Sequence, residues 1–225
     1  MIFTVRDASL RVLLIERGKP PFEGDFALPG GYVREGEDLD QAALRELAEE
    51  TGVTGLYLEQ LRTFGAPDRD PRGRTFTVAY LALGPDLPTP VAGTDAAKAH
   101  WVPIETALSY ELAFDHMAIL KEGLDRARAK LEYTTVAAAF CREPFTIAEL
   151  RHVYEVIWGF PLDPSNFRRK VTKAADFVER TGEFRTPETG RPAALYRRGS
   201  AALLFPPMPR SGDVGREAYP SPVTA

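Results

Sequence analysis

The sequence predicts an α+β chain in two domains, and three observations carry that reading. Apolar runs at Ile2–Val5, Leu10–Ile15, Leu56–Leu61 and Thr75–Leu83 alternate or run on in the manner of strands. One strongly helical pattern, Leu39–Thr51, lies among them. Past residue 133 the order changes to helix, short turn, helix and hairpin.

Each element has its own local warrant. Pro85, Pro88, Pro90 and Gly93 mark a loop, and Trp101-Val102 follows as the expected last strand of the first domain. From Asp115, the expected N-cap, the spacing Leu120, Leu124, Ala127, Leu131 gives a helical stripe, the natural connector between the halves. Thr146 with Glu149 three residues on forms a capping box ahead of Leu150, Val153 and Ile157, and Gly159 can end that helix. Asp163-Pro164 supplies an N-cap and a proline at the first helical position of the next, expected to run to about Glu179. Glu183–Thr186 and Ala193–Arg197 then flank a basic hairpin tip. Helix, turn, helix and hairpin is the order of a winged helix-turn-helix. The expected boundaries are a first domain at 1–123, a connecting helix at 124–133, a winged helix at 134–205 and a disordered tail at 206–225.

Composition narrows the classes. With 44% apolar and 27% charged residues, both halves can bury a core. The longest apolar stretches, Leu10–Ile15 and Thr135–Cys141, are far too short for a bilayer, and nothing resembles a signal peptide, so no membrane partner and a cytoplasmic location are expected. Cys141, the only cysteine, reads as a buried structural thiol. Through Ala129 there are 14 basic and 21 acidic residues, net −7; the remainder is +3, and Pro164–Arg198 alone is +5. An acidic half joined to a locally basic one suggests two tasks, the second able to meet a polyanion.

One segment carries most of the chemistry. Gly31, five residues, Glu37, seven residues, then Arg45-Glu46-Leu47-Ala48-Glu49-Glu50-Thr51-Gly52-Val53 is a fixed spacing over 23 residues. Glu46, Glu49 and Glu50 fall within about a 100° arc of one helix face, while Leu44, Leu47, Ala48 and Thr51 are expected to pack on a sheet. Three carboxylates so close repel unless protons, cationic partners or a metal offset them. Hard oxygen donors suit Mg2+ or Mn2+, which can neutralise a diphosphate and activate a water. A solvated glutamate face is the ordinary fate of such a cluster, but the complete pattern sets that reading aside.

That pattern resembles the Nudix box in full. The resemblance implies a Nudix α/β/α sandwich as the first domain, with Glu46 and Glu50 as direct metal ligands alongside the Gly30 carbonyl, and Glu49 as a further ligand or water-positioning group. It makes Glu37 and Arg45 an ion pair, with Gly30, Gly31 and Gly52 as turn glycines. The flanking Arg17–Gly31 and Asp68–Arg74 look like the ADP-ribose branch, with Arg17 and Arg74 as phosphate or ribose contacts, though a general salt-bridge role fits each as well. Family hydrolases often draw a catalytic carboxylate from the loop before the last strand. Here Gly93–Lys98 offers only Asp95, beside Glu49 the one other catalytic candidate, so hydrolysis is expected to be weak or absent.

The second helix of the C-terminal half opens with Ser165, Asn166, Arg168, Arg169 and Lys170, followed by Lys173; Arg191 sits at the hairpin tip. Such residues near a helix start are suited to base edges and phosphates; an amphipathic helix with a charged outer face is the alternative. Up to about Phe205 the chain resembles the Nudix-related transcriptional regulators. What this implies is a homodimeric bacterial repressor of NAD biosynthesis or salvage genes, binding double-stranded operator DNA and sensing ADP-ribose or a related nucleotide. The competing reading is an active ADP-ribose pyrophosphatase with an accessory C-terminal domain. Dimerisation is expected through the Nudix half and its connecting helix, where Leu120, Leu124 and Leu131 offer apolar surface.

Overall fold

The computed structural model describes residues 1–52, 56–89, 96–186 and 191–210, with the side chains of Glu50, Thr51, Tyr57, Ala96 and Ala97 left out. The first half is a mixed six-stranded sheet. Its strands are β1 (Ile2–Arg6), β2 (Ser9–Arg17), β3 (Phe26–Ala27), β4 (Tyr57–Phe64), β5 (Thr77–Pro85) and β6 (Ala96–Pro103). The order β3-β2-β1-β5-β4 is completed by β6 on β2, and only the β1–β5 pair is parallel. Because β6 runs along β2 from Arg11 to Arg17, β1 and β3 share the other edge of β2.

Alternation along the strands divides this sheet into two faces. Ile2, Leu13 and Ala82 point to one side, where Leu47 of α1 (Leu39–Thr51) covers them. Phe3, Val12, Leu14, Leu81 and Leu83 point to the other, towards α2 (Ile104–Ala107) and α3 (His116–Tyr133). The result is the expected α/β/α sandwich. Leu44, expected on the packing side of α1, is instead 46% exposed, while Leu47 is buried against the sheet; the Thr51 side chain, also expected there, lies outside the described part.

The leucine stripe of the connecting helix is committed within its own chain. Leu120, Leu124, Ala127 and Leu131 are all 3% exposed or less, so that stripe is core and offers no surface to a second copy. Asp115 stands at the N-cap position but makes no cap bond; its carboxylate is drawn off by Arg69.

Beyond a 3-10 turn at Val136–Phe140 come β7 (Phe145–Thr146), α4 (Ile147–Trp158), α5 (Pro164–Lys173), β8 (Val178–Arg185) and β9 (Ala193–Arg198). The three strands form a sheet in the order β7-β9-β8. The Thr146–Glu149 capping box is present in both directions, and Gly159 ends α4 in the left-handed conformation that glycine adopts without strain. Asp163 caps α5 through the Asn166 N–H at 2.7 Å. α5 stops at Lys173 rather than near Glu179, because residues 178–185 pair with β9 and the chain must turn to reach that register. The expected 183–186 arm is thus the end of a longer strand. Cys141 lies partly buried, and that enclosure pushes its thiol up to about 12, as an inert structural cysteine requires.

The winged helix continues the core of the sandwich. Tyr154 and Trp158 of α4 bond the Leu131 and Arg128 carbonyls of α3, and Arg128 returns a bond to the Ile157 carbonyl. The tail expected from Pro206 differs at its start. Met208 is 4% exposed, its N–H donates to the Glu132 carbonyl, and Arg210 pairs with the buried Glu132 carboxylate. Residues 211–225 lie outside the described part. Among the described residues no helix is long and apolar enough to cross a membrane.

Candidate functional site

The box residues meet around one guanidinium. Arg45, on α1, grips Glu37 with two parallel bonds of 2.7 and 3.0 Å, reaches Glu46 at 2.5 Å and Glu49 at 3.3 Å, and donates to the Tyr32 carbonyl. Those paired bonds, with the Arg34 N–H on the same carboxylate, hold Glu37 down to about 2 and so anionic at any working pH. The Glu37–Arg45 pair therefore staples the glycine loop to α1, as expected. A second cation, Arg34, bonds Glu49 at 3.1 Å.

Glu46 faces the loop itself. A Cβ built on Gly31 would lie 2.2 Å from the Glu46 Oε1, so only glycine leaves that space to the carboxylate. Gly30 has open space around it and neither glycine needs a positive φ, so the requirement falls on Gly31 and comes from Glu46, not from turn strain. A divalent cation fits this donor set: hard oxygens on one helix face, one of them pressed against main chain. Two arginines now offset the charge of Glu46 and Glu49, the office a metal would take over. Among the described residues no three acids form a ready-made cage. The Glu50 side chain and Asp95 lie outside the described residues.

The two arginines expected at a ligand are engaged with main chain. Arg17 donates to the Pro21 and Lys19 carbonyls and lies 4.7 Å over the Phe114 ring; Arg74 donates to Gly65 and covers Phe76 at 4.6 Å. They shape the loops they sit on while keeping guanidinium faces beside aromatic rings.

Three consecutive residues leading into α3 gather those loops. Phe114 meets Phe22 edge-on at 4.8 Å and lies under Arg17 and Arg72. Asp115 takes two bonds from Arg69, whose side chain is 4% exposed. His116 Nδ1 accepts the Leu28 N–H at 3.0 Å, three residues before Gly31. Burial lowers His116 to about 4, with Asp115 opposing and Arg69 reinforcing, so the ring is neutral and able to accept. Sequence reading missed Arg69, Phe114 and His116: a lone His or Phe before a helix carries no spacing signal.

On the other domain, α5 is cleanly divided. Phe167 and Val171 are buried, Phe167 edge-on to Tyr154 at 5.1 Å. Ser165, Arg168, Arg169 and Lys173 are exposed on the other side, with Asn166 and Lys170 half-buried. Asn166 Oδ1 accepts from Arg169 at 2.7 Å, which orders both side chains before any ligand arrives. Arg191 is exposed at the edge of the hairpin; residues 187–190 of its tip lie outside the described part.

Comparison with known proteins gives both halves a match. A NUDIX domain model matches residues 1–122, and a model of the NrtR DNA-binding winged helix domain matches residues 137–198. A relative from Acinetobacter baylyi described as an ADPR responsive transcriptional repressor, NtrR, is 37% identical over 87% of this chain and 78% of its own. The chain belongs to the Nudix-related transcriptional regulators. The structure of Shewanella oneidensis NrtR with a 27mer DNA superposes with a TM-score of 0.72 at 39% identity, covering 88% of this chain and 90% of that one. The Nudix domain of the same protein, solved with ADP ribose, gives 0.53 at 39% identity over 56% of this chain and 82% of that one. In this regulator family the Nudix half and the winged helix are thus one architecture, and here α3 joins them.

Proposed function

We propose that this chain is a ligand-responsive transcriptional repressor: α5 enters the major groove of an operator, and the Nudix cleft binds ADP-ribose or a related nucleotide with Mg2+ or Mn2+. The observation that carries the reading is the division of α5, with a buried Phe167–Val171 face and an opposite face of exposed Ser165, Arg168 and Arg169, where half-buried Asn166 bonds Arg169. Relatives described as an ADP-ribose responsive repressor and as a DNA complex support it. Arg168, Arg169, Lys170 and Lys173 meet phosphates, Ser165 and Asn166 read bases, and Arg191 reaches the backbone or minor groove. The regulated genes belong to NAD biosynthesis or salvage. The protein acts as a cytoplasmic homodimer on a two-fold operator, through a surface other than the buried leucine stripe of α3. In the cleft, Glu46 and Glu50 would hold the metal with the Gly30 carbonyl, and Glu49 would place a ligand or water. Bound metal supplies charge neutralisation for a diphosphate; Arg45 holds Glu46 and Glu49 in place for it.

The test is a salt-titrated binding assay with the gene's own upstream duplex, with and without ADP-ribose. Wild type should prefer that duplex over a random one, and Arg168→Ala with Arg169→Ala should weaken both and lower the salt slope by about 2. Equal binding of the two duplexes by wild type would refute the repressor reading.

A further inference from the structure

The segment after β9 turns back and binds at the base of the recognition helix. Leu203 pairs with Thr134, the Leu204 N–H donates to the Tyr133 carbonyl, and the Met208 N–H donates to the Glu132 carbonyl. Arg210 closes the arrangement on the Glu132 carboxylate, which is 8% exposed. Two main-chain hydrogen bonds and one ion pair therefore fix 203–210 to the last turn of α3. Leu204 and Met208 are both buried in the core cluster that holds Phe167 and Val171 of α5. On its other side the segment shares a cleft of about 140 Å³ with α5: Pro206, Pro207 and Met208 face Arg169, Lys170, Lys173 and Ala174.

A strap bonded to α3 and lodged against α5 holds these two helices together independently of α4. Without it, α5 would be held by its buried Phe167 and Val171, Phe167 edge-on to Tyr154, and by the short turn from α4, where the Leu162 N–H bonds Glu155. Ten residues of helix with four exposed or half-exposed cations have little to resist tilting. Tilting matters for recognition, because base contacts depend on the helix lying at one angle in the groove.

We propose that residues 203–210 are a positioning strap for the DNA-reading helix, with Met208 as the wedge beside α5 and Glu132–Arg210 as its anchor on α3. The strap lies beyond residue 198, where the matched winged-helix segment ends. It makes α3 and α5 move as one unit. The proposal rests on α5 being the reader, and it assigns no DNA contact to the strap itself.

The experiment uses the full chain with Met208→Asp, the conservative Met208→Leu, and Arg210→Ala. Amide hydrogen exchange is followed in α5 and in β1 and β5, beside duplex binding across a salt series and ADP-ribose calorimetry. Met208→Asp should speed α5 exchange about tenfold while the sheet amides stay protected. Duplex affinity should fall about tenfold at every salt concentration with an unchanged slope, because the phosphate contacts remain and their placement is lost. Arg210→Ala should move both readouts in the same direction, and Met208→Leu should restore them. ADP-ribose affinity should not change. Unchanged α5 exchange and duplex affinity in a folded Met208→Asp protein would overturn the proposal. So would loss of protection in sheet and α5 together, or a smaller salt slope, which would make the strap a DNA contact. If wild type shows no duplex preference, the repressor reading fails, while α5 exchange still decides the strap.

Discussion

His116 ties the stability of the cleft to pH in a window that few other groups occupy. Its Nδ1 accepts the Leu28 N–H, so protonation would turn the acceptor into a donor and break the bond that holds the run into Gly31. Burial lowers the folded value from 6.5 to about 4. The unfolded chain therefore takes up a proton first as pH falls, and stability present above 6.5 is lost progressively down to about 4. At pH 5 the two values give a loss of about 2 kcal/mol relative to pH 8, and about 3 kcal/mol below pH 4. The Glu37 pair acts lower, between 4.5 and about 2, and so below a titration from pH 8 to 5. The Met1 ammonium, which burial lowers to about 5, does overlap, and only a difference between variants separates them. The assay is urea unfolding of wild type and His116→Asn from pH 8 to 5; the asparagine oxygen can still accept the Leu28 bond but cannot titrate. Wild type should lose about 2 kcal/mol more than the variant over that range. Parallel profiles would show that His116 ionises equally in both states and that its enclosure is not felt.

Two further outcomes follow from the box geometry. Gly31→Ala should weaken Mg2+ or Mn2+ binding by calorimetry nearly as much as Glu46→Gln with Glu50→Gln, yet leave the melting temperature almost unchanged, since the new methyl meets only the end of the flexible Glu46 side chain; unaltered metal affinity in either variant would make these carboxylates solvated spectators. Release of AMP from ADP-ribose should be weak or absent, because Arg34 and Arg45 both engage Glu49; robust metal-dependent turnover, lost in Glu49→Gln, would instead favour the pyrophosphatase reading.

Much of the architecture was legible because its signals are local. The continuous apolar run within Leu10–Ile15, buried on both faces of the sheet, and the capping residues Thr146, Glu149 and Asp163 act within a few residues, and each does in the structure what its pattern implies. The Glu37–Arg45 pair was legible for the same reason, both residues lying within one motif. What escaped depends on partners distant in sequence. Asp115 reads as an N-cap, but Arg69, 46 residues away, outcompetes a backbone N–H for its carboxylate because a buried guanidinium needs a counter-charge more than a helix needs a cap. The leucines of α3 read equally well as a dimer face or a core; only the sheet beneath them decides. Pro206-Pro207 reads as disorder by composition, yet Met208 just beyond it supplies enough apolar burial to dock the strand of chain.

These long-range ties also set what a bound nucleotide can do to DNA affinity. A hundredfold change in operator binding needs about 2.7 kcal/mol of preference for one arrangement of the winged helices. One route among the described residues from the loops beside Phe114 to α5 runs through α3, gripped at its start by Phe114, Asp115 and His116 and at its end by Arg128, Leu131 and Glu132. That helix spans about 27 Å, and its leucine face is close-packed throughout, so it cannot bend to absorb a small shift at one end. It must either stay or move as a rod. Along this route the preference arises where the rod is gripped, and the Arg69–Asp115 pair and the Phe114 stack are the contacts that a ligand entering beside Arg17 and Arg72 would disturb first. A ligand that bound both arrangements of the winged helices equally would leave DNA affinity unchanged, however tightly it bound.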